Sequence, residues 1–391
     1  MNGKMTMKIL MLNYEFPPIG GGAGNAHLAL LRQYAQNQDL LVDVLASAPK
    51  PGLFTEQLSK NVTIHKVGLH KKHLHFWRRT EVLEWLMKAT AHYRRLLRQN
   101  SYDVVHAFFG FPTAWLCYRT ARMLPYIISL RGSDVPGQHA RLKLDYKIIG
   151  PLVFKPIWRN ASGLVACSRG LKKRALAFMP DAAIDVIPNG VDCERFRPAG
   201  DKERIASPQG TVRLLTVGRL SVTKRVDMLI DAVDILTGNG RRVRLTVVGG
   251  GSMEDRLRNI VQNRNLATIV EMTGRVKSDD MPEIYRQNDI FVGASMQEGM
   301  SNAMLEAMAA GLPIVTTRCE GVDELVADNG IVAQSASPQA IAEAVQLVCN
   351  TQTRRQMGLA ARERAMQYSW ASVAEQYVQL YNRILQKTEH N

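Results

Sequence analysis

One pattern recurs along the chain: a short run rich in Val, Ile and Leu, then turn residues, then a stretch with helical periodicity. Buried strands that alternate with helices predict parallel β-sheets with helices on both faces. In the first half the predicted strands are Lys8–Asn13, Val42–Ser47, Val62–Val67, Asp103–Phe108, Tyr126–Arg131, Gly163–Ser168 and Asp185–Asn189. In the second half they are Arg213–Arg219, Arg244–Gly250, Val270–Arg275, Ile290–Ser295, Pro313–Thr317 and Gly330–Ala333.

A polar segment rich in Pro and Gly, Phe196–Gly210, separates the two series and is predicted to be a linker. At 391 residues the chain is long enough for two domains with a core each. We therefore expect an α/β protein with two Rossmann-like, doubly wound parallel-sheet domains, residues 1–198 and 199–367. Apolar residues at helical spacing predict a last helix over Trp370–Leu385. Ligands of such sheets bind beyond the carboxyl ends of the strands, so two facing domains predict a site in the cleft between them.

The cysteines are dispersed and form no C-x-x-C pair, which is typical of reduced thiols in the cytoplasm. The amino terminus, Met1–Leu12, has an apolar stretch too short for a signal peptide but suited to a first strand. No uninterrupted apolar run approaches about 18 residues, so we expect no membrane-spanning helix. Together these features predict a soluble, cytoplasmic protein.

The formal net charge of +15 favours an anionic partner, and much of it lies between His65 and Asn100, with nine Lys or Arg against two Glu. Nucleic acid, an anionic bilayer and phosphorylated substrates all fit such a charge. Apolar residues at helical spacing, with Trp77 and Trp85 among the basic residues, favour a membrane surface. The alternative is an ordinary helix of the fold with a solvated outer face. A second candidate membrane segment is Arg141–Arg159, and no nucleic-acid-binding module is recognisable.

A glycine-rich loop, Gly20–Gly24, follows the first predicted strand. Glycines at this point let the backbone approach a phosphate or a sugar. A tight turn alone is the alternative, but four glycines in five residues exceed what a turn needs. The pattern G-x-G-x-x-G fails in both possible frames, because Asn25 and His27 stand where its last glycine belongs. The sequence therefore disfavours a nicotinamide enzyme.

Two basic residues, Arg219 and Lys224, follow Gly218 at the end of the first strand of the second series. An arginine can grip two oxygens in a fork and a lysine acts as a mobile point charge, so the two can converge on one diphosphate. A solvated basic turn is the alternative. The position at the carboxyl edge of a parallel sheet favours the phosphate interpretation.

Two glutamates, Glu298 and Glu306, flank a helix start predicted near Ser301. The amino-terminal end of a helix suits a phosphate, with one glutamate outside this end and the other about 7 Å along the axis. Carboxylates on both sides of an anion site suit the two sets of hydroxyls in a nucleotide sugar, those of the sugar and those of the ribose.

The spacing of Glu298 and Glu306 resembles the E-x7-E motif of retaining glycosyltransferases of family 4, which have the two-domain GT-B fold. VGRLSVTKRVDMLIDA, Val217–Ala232, resembles the phosphate-binding segment of that family, and PPIGGGAGNAHL, Pro17–Leu28, its amino-terminal glycine loop. The segments DVVHAFFGFP, SLRGSD, VACSRGLKK, VIPNGVD, TGRV and EGVDELV fall in the family's order. The resemblance covers nearly the whole chain and implies that residues 368–391 pack back on the first domain.

The resemblance implies that the first domain binds the acceptor and the second the donor. Arg219 and Lys224 are then expected on the donor diphosphate, Glu306 on the ribose, Glu298 on the transferred sugar and Val276 near the base. The expected catalytic residues are Glu298, Arg219 and Lys224. The expected donor-binding residues are Gly21, Gly22, Gly218, Arg219, Lys224, Val276, Glu298, Met300, Ser301, Asn302 and Glu306.

Two departures from the family pattern stand out. Arg131 lies where many members carry a histidine, which leaves its acceptor-side role open, and Met300-Ser301 replaces the commoner Phe-Gly. His106 and Asp134 are candidate acceptor-side residues, with a structural hydrogen-bonding role as the equal alternative.

No D-x-D sequence occurs in the chain, so we expect no metal and no cofactor, with the leaving diphosphate neutralised by Arg219, Lys224 and a helix dipole. The resemblance implies retention of configuration, with the departing phosphate taking the acceptor proton on the same face. The expected donor is a UDP-sugar, or else a GDP-sugar, and the expected acceptor a glycan or lipid-linked glycan of cell-surface polysaccharide, lipopolysaccharide or glycolipid synthesis. The expected location is the inner face of the plasma membrane. The alternatives are a non-catalytic binding protein and a GT-B epimerase or phosphorylase.

Overall fold

The computed structural model describes residues 6–74, 77–137, 150–200 and 210–389. The chain divides into two compact units, one of Met1–Asn189 with Trp370–Asn391 and the other of Gly190–Ser369. The sequence pattern put these boundaries at 198/199 and 367/368. Most of the predicted linker, residues 201–209, lies outside the described residues.

The first unit contains an eight-stranded sheet in the order β3-β4-β2-β1-β5-β6-β7-β8. All neighbouring strands are parallel except β3, which runs antiparallel to β4. The strands are β1 Met7–Asn13, β2 Leu40–Ala48, β3 Leu53–Ser59, β4 Val62–Gly68, β5 Val104–Phe108, β6 Tyr126–Leu130, β7 Gly163–Ala166 and β8 Ile184–Val186. Every strand predicted for this half is confirmed, and β3 is additional.

The additional strand β3 lies at the edge of the sheet and is exposed over its first five residues. Leu53 and Phe54 keep 62% and 45% of their surface in contact with solvent. An exposed edge strand needs no buried apolar run, so the pattern that revealed the other strands gave no signal here.

Helices cover both faces of this sheet, because successive strand residues point to opposite sides. Ile9 and Met11 belong to a core shared with the first and last helices, and the alternate residues Leu10 and Leu12 are also fully buried. The helices of this unit are α1 Gly22–Tyr34, α2 Arg79–Gln99, α3 Thr113–Tyr118, α4 Lys155–Arg159 after a π-turn at Gly150–Phe154, α5 Arg169–Phe178 and α13 Trp370–Glu389.

Helix α13 brings the end of the chain into the first unit. Val373, Tyr377, Leu380, Tyr381 and Ile384 are buried on one face of it, at the helical spacing seen in the sequence. None of the helices in the described part of the chain has the length and hydropathy needed to cross a membrane.

The second unit contains a fully parallel six-stranded sheet in the order β11-β10-β9-β12-β13-β14. The strands are β9 Val212–Val217, β10 Val243–Val248, β11 Val270–Gly274, β12 Ile290–Gly293, β13 Ile314–Thr316 and β14 Gly330–Val332. The helices are α6 Val226–Gly238, α7 Glu254–Asn263, α8 Met281–Arg286, α9 Asn302–Ala309, α10 Val322–Leu325, α11 Pro338–Val348 and α12 Thr351–Met366. All strands predicted for this half are confirmed.

The core of the second unit places several loops side by side. Leu214 of β9, Leu245 of β10 and Ile290 of β12 are buried in one apolar cluster with residues of α6, α7 and α11. Because the strands are parallel, their carboxyl ends meet at one edge, where the loops after β9, β10 and β12 are neighbours.

Candidate functional site

The loops after β9 and β12 are joined directly at the carboxyl edge of the second sheet. The backbone N–H of Met296, after β12, donates to the carbonyl oxygen of Thr223, after β9, at 2.8 Å. Thr223 belongs to a 3-10 turn, Val222–Lys224, so this bond fixes the backbone next to Lys224.

Glycines in the loop after β10 allow its backbone to contact the backbone of the loop after β9 closely. A Cβ on Gly249 would lie 1.9 Å from the carbonyl oxygen of Gly218, and one on Gly251 would lie 2.3 Å from that of Leu220. No side chain fits at such distances, so glycine is required at both positions. Sequence reasoning did not assign Gly249–Gly251 to the site, although a glycine triplet after a strand was the available signal.

Lys224 and Glu298 form an ion pair in which Nζ donates to Oε1 at 2.7 Å. The Lys224 side chain is 24% exposed to solvent and the Glu298 side chain 17%. The other carboxylate oxygen of Glu298, Oε2, is buried and accepts no hydrogen bond from any residue the structure describes. An unsatisfied buried acceptor costs about 1–3 kcal/mol, so this oxygen is an open position for a hydrogen-bond donor.

Arg219 follows β9 and is exposed, and its guanidinium has no ion pair or hydrogen bond within the described ranges. Arg213 of the same strand is different, because its guanidinium binds both oxygens of Asp289 at 3.0 and 3.1 Å. Arg213 is therefore committed to the fold, whereas the fork of Arg219 is available for an anion with paired oxygens.

These groups share one pocket with the start of α9. Five predicted site residues line it: Gly218, Arg219, Lys224, Glu298 and Ser301. Met304, which was not predicted, lines it as well. The structure thus brings together the predicted diphosphate ligands and the first glutamate of the motif. A positive, partly enclosed pocket of this kind is suited to a diphosphate.

The helix that borders the pocket, α9, begins at Asn302 with Ser301 as its N-cap, and the Ser301 hydroxyl accepts a hydrogen bond from the Met304 N–H at 3.3 Å. Its first turn contains no acidic residue, so the positive end of the helix dipole is uncompensated within the helix. Met300 is buried and Asn302 half-buried, and neither residue lines the pocket. A contact of their backbone groups with the donor, as the resemblance implies, stays a prediction.

Glu306 lies in the second turn of α9 and does not line the pocket with Lys224. The Tyr285 hydroxyl of α8 donates to its Oε2 at 2.8 Å. Burial raises the pKa of the Glu306 carboxyl to about 7, against the opposing effects of that hydrogen bond and of the Arg195 charge. The two glutamates therefore have different surroundings: Glu298 is paired with a cation, and Glu306 is held by a neutral hydroxyl.

Val276 follows β11, the edge strand of the sheet, and is half-buried. It does not line the pocket that contains Lys224, and β10 lies between β11 and β9. A role beside a nucleotide base stays a prediction.

The predicted glycine-loop residues Gly21 and Gly22 lie in the first unit, where helix α1 begins at Gly22 and Gly21 is its N-cap. The N–H of Gly20 donates to the carbonyl oxygen of Leu74 at 2.8 Å, and a Cβ on Gly24 would lie 2.4 Å from the Glu15 carbonyl oxygen. This loop is thus a tightly packed helix start at the carboxyl end of β1. Its contact with a ligand stays a prediction.

His106 of β5 is fully buried, and both ring nitrogens are engaged. Nδ1 lies 2.7 Å from the Tyr381 hydroxyl of α13, and Nε2 lies 2.7 Å from the Ser129 hydroxyl of β6. Burial, with a smaller contribution from the Arg131 charge, lowers the pKa of His106 to about 3. This geometry favours the structural alternative, in which a neutral imidazole fastens α13 to the sheet.

Asp134 is buried, and backbone N–H groups occupy its carboxylate. Oδ2 accepts from Gly110 at 2.7 Å, and Oδ1 accepts from Arg131 at 2.8 Å and Gly132 at 3.0 Å. Burial raises the pKa of the Asp134 carboxyl, and these hydrogen bonds partly oppose that rise. The contacts again favour a structural role, here the fixing of the loops after β5 and β6.

The basic segment around α2 requires a correction. Trp85 was expected to contribute to a membrane-facing aromatic and basic surface, but it is fully buried. The buried face of α2 is Glu81, Trp85, Ala89, Tyr93 and Leu96. The helical spacing places Ala89, Tyr93 and Leu96 on the apolar face, which the structure confirms, whereas the surface role expected of Trp85 is wrong, because Trp suits both a core and a membrane interface. Of the second candidate, Arg141–Arg159, residues 141–149 lie outside the described residues.

Among the residues that the structure describes, no group of three or more His, Cys, Asp or Glu is arranged to hold a metal ion.

Solved structures with closely similar coordinates define the class of protein. A sucrose-phosphate synthase from Thermosynechococcus elongatus superimposes with a TM-score of 0.82 at 20% identity, covering 97% of this chain and 100% of that one. Anabaena HepE in complex with UDP-glucose superimposes with a TM-score of 0.73 at 18% identity, covering 96% and 100%. The fold is therefore that of the GT-B glycosyltransferases.

The sequence matches narrow this class to a family. Residues 20–195 match the family model described as Glycosyltransferase Family 4, and residues 200–364 match that described as Glycosyl transferases group 1. An uncharacterized glycosyltransferase of Methanocaldococcus jannaschii is 27% identical over 369 residues, 93% of this chain and 95% of that protein. A GDP-mannose-dependent alpha-(1-6)-phosphatidylinositol monomannoside mannosyltransferase of Mycobacterium tuberculosis is 32% identical over 217 residues, 51% and 56% of the two chains. The chain belongs to the family 4 glycosyltransferases and is a glycosyltransferase enzyme.

Proposed function

We propose that this glycosyltransferase moves a sugar from a nucleoside-diphosphate sugar to a glycan or lipid-linked acceptor, with retention of configuration and without a metal ion. The observation that carries the proposal is the Lys224–Glu298 pair beside Arg219, with one Glu298 oxygen unpaired. The second unit is then the donor domain and the first unit the acceptor domain.

The cations of the pocket suit a diphosphate. Glu298 holds the Lys224 ammonium at 2.7 Å, so the cation is fixed before a phosphate arrives and loses little conformational entropy on binding. Arg219 adds a fork with no competing carboxylate among the described residues. As the bond to the sugar breaks, charge grows on the leaving phosphate, and cations and the α9 dipole already in place stabilise it.

The two glutamates suit the hydroxyls at the two ends of the donor. Glu298 Oε2 can accept from a hydroxyl of the transferred sugar, because no protein donor occupies it in the described part of the chain. Glu306, with a pKa of about 7, exists in both protonation states near neutral pH and suits a ribose diol. In the proposed step a departing phosphate oxygen takes the acceptor proton while the new bond forms on the same face of the sugar.

Relatives guide the choice of donor and pathway. A UDP-sugar is the first candidate, in keeping with the HepE complex, and a GDP-sugar is the second, in keeping with the GDP-mannose-dependent mannosyltransferase. The acceptor of the latter relative is a phosphatidylinositol mannoside. We place this chain in the assembly of cell-surface polysaccharide, lipopolysaccharide or glycolipid at the cytoplasmic face of the plasma membrane.

An exposed stripe on α2 supports contact with an anionic membrane. Leu83 and Met87 keep 59% and 70% of their exposure one turn apart. Arg79, Arg94 and Arg98 are exposed at positions that share this face at helical spacing. Apolar side chains flanked by arginines suit anionic headgroups, and this stripe replaces Trp85 as the basis for the membrane proposal.

A donor panel tests the proposed function. Hydrolysis of UDP- and GDP-sugars is measured with the wild type, Lys224→Ala and Glu298→Ala. One donor should be turned over, and both variants should lose at least about 100-fold in kcat/KM, because each removes a group that stabilises the leaving phosphate or the sugar. Full turnover by both variants would refute the site assignment.

Vesicle sedimentation tests the membrane contact. The chain should bind phosphatidylglycerol vesicles, release them in high salt, and bind about tenfold more weakly after Leu83→Ser with Met87→Ser. The matched control is Leu359→Ser in the second unit, which is also exposed, at 67%. Equal binding to neutral vesicles, or no effect of the α2 changes, contradicts the contact.

A further inference from the structure

Arg131 lies at the carboxyl end of β6 in the first unit, and two contacts hold its guanidinium. Its Cζ lies 5.2 Å from the centre of the Phe108 ring, and one terminal nitrogen donates to Asn189 Oδ1 at 2.5 Å. The strand order is β6-β7-β8, and Asn189 follows β8, so the side chain extends across the end of β7. A cation–π contact with Phe108 and one hydrogen bond to the Asn189 side-chain oxygen thus fix the cation at the carboxyl edge of the sheet, where ligands of such sheets bind.

Two other half-buried arginines of the chain each donate to three protein carbonyl oxygens. Arg174 donates to the carbonyl oxygens of Val135, Pro136 and Gly132. Arg362 donates to three carbonyl oxygens of the second unit. A guanidinium carries about five N–H donors, and Arg131 uses one of them towards the residues the structure describes. Arg131 is therefore positioned like a structural arginine but left with unused donors.

No ion pair within 4 Å holds the Arg131 guanidinium among the residues that the structure describes, although burial raises the pKa of the nearby Asp134 carboxyl and the Arg131 charge is one of the effects that oppose this rise. The nearest carboxylate in sequence, Asp134, is occupied by three backbone N–H groups and forms no ion pair with the Arg131 guanidinium. His27 and His106 pack against Phe108, with ring centres 4.2 and 5.0 Å away. Burial, and to a smaller extent the Arg131 charge, lowers the pKa of both histidines, which keeps them neutral. Arg131 is thus a fixed positive charge beside neutral aromatic rings, and its nearest carboxylate in sequence is held by backbone N–H groups.

We propose that Arg131 binds a phosphoryl group of the acceptor, so that this enzyme selects a phosphorylated sugar or polyol, either free or as a lipid headgroup. This inference rests on the proposed function, in which the first unit, where Arg131 lies, is the acceptor domain of a glycosyltransferase. The fork suits two phosphoryl oxygens, and a held guanidinium gains more from an anion than a mobile one.

Calorimetric titration tests the soluble form of the ligand. The full chain carrying Arg219→Ala and Lys224→Ala is the parent, because these changes suppress anion binding in the second unit. Glucose 6-phosphate should bind this parent at least tenfold more tightly than glucose does. Adding Arg131→Gln should remove the preference, Arg131→Lys should keep part of it, and Arg119→Gln, an exposed arginine over Trp115, should keep all of it.

Vesicles test the lipid form with the same variants. Binding to phosphatidylcholine vesicles with and without phosphatidylinositol is measured, and Arg131→Gln should remove the phosphatidylinositol preference if the phosphate belongs to a headgroup. Loss of preference in either assay supports the proposal and identifies the source. The absence of any preference in the parent, or its survival in Arg131→Gln in both assays, overturns it.

Two measurements keep the result unambiguous. Circular dichroism and thermal unfolding show that each variant is folded, and Arg131→Lys, which keeps the charge and the stem, provides a second variant. Donor hydrolysis by the otherwise unchanged chain separates the two hypotheses. Turnover that depends on Lys224, without a phosphate preference, rejects the Arg131 inference alone, whereas no turnover with any donor rejects the proposed function.

Discussion

His106 and Asp134 of the first unit differ in their hydrogen bonding from Glu298 and Arg219 of the second unit. In the first unit, His106 has partners on both ring nitrogens, and Asp134 accepts three backbone hydrogen bonds. In the second unit, Glu298 has an unpaired buried oxygen, and the Arg219 guanidinium has no protein partner among the described residues. Buried polar groups are normally satisfied, so His106 and Asp134 are committed to the fold, whereas Glu298 and Arg219 are open to a ligand.

His106 of the first unit and Glu306 of the second are both groups whose ionisation burial suppresses, but their ionised forms have opposite charge. His106 is kept neutral with a pKa of about 3, and Glu306 is kept partly protonated with a pKa of about 7. The contributions of these two groups to the free energy of unfolding should therefore change with pH in opposite directions.

The largest effect should come from Glu298→Gln, which removes the charge that holds Lys224 while keeping the shape of the side chain. We expect kcat for donor turnover to fall about 100-fold, because Lys224 is no longer fixed for the leaving phosphate. Glu343→Gln, an exposed change on α11, is the control. If Glu298→Gln kept wild-type kcat, the Lys224–Glu298 ion pair would have no role in catalysis.

His106→Phe should reduce the free energy of unfolding by about 2 kcal/mol, because the Tyr381 and Ser129 hydroxyls each lose a buried partner. Urea unfolding measures the loss. Turnover per folded molecule should not change. A drop in turnover at an unchanged folded fraction would restore an acceptor-side role for His106 and weaken the contrast between the edges.

The sequence was sufficient for much of this picture and insufficient for the rest. Buried apolar runs predicted every strand except the exposed edge strand β3, and parallel topology then brought Arg219, Lys224 and Glu298 to one edge. The hydrogen bond between His106 and Tyr381 could not be predicted from the sequence, because the two residues lie 275 positions apart in the chain. Hydrogen-bond partners at such separations depend on tertiary packing, which no local pattern records.

The buried face of α2 shows a second limit. Its period was correctly predicted, but the face that packs inward includes Trp85 and an ion-paired glutamate, Glu81, bonded to Lys71 at 2.8 Å. A buried ion pair looks like surface charge in a sequence, so the pattern placed Ala89, Tyr93 and Leu96 on the inward face but not Glu81 and Trp85.

Glu306→Gln should give the smallest effect, a gain of about 1 kcal/mol in the free energy of unfolding at pH 8. The ordinary pKa of this carboxyl is 4.5 and its folded value about 7, so the folded state binds the proton more tightly. Its contribution is therefore fully present below pH 4.5 and is lost as pH rises through about 7. The glutamine side chain does not titrate, so the variant does not show this loss of stability over this pH range. Thermal unfolding from pH 5 to pH 8 measures the difference.

The histidine provides the control of opposite sign. The lowered pKa of His106 disfavours the folded state as pH falls from 6.5 towards 3. The free energy of unfolding should therefore depend less on pH in this range in His106→Phe, and its pH dependence should not change in Glu306→Gln. Identical slopes in both variants would contradict the assignment of the two groups.

The central claim is that Lys224 and Arg219, rather than a bound metal ion, neutralise the donor diphosphate. Calorimetric titration of UDP and GDP in EDTA, with wild type, Lys224→Ala and the exposed-surface control Arg258→Ala, tests it most directly. We predict that one nucleotide binds wild type and the control equally in EDTA, and that Lys224→Ala weakens it at least tenfold. Unchanged binding by Lys224→Ala, or binding that appears only with added manganese, would contradict the account.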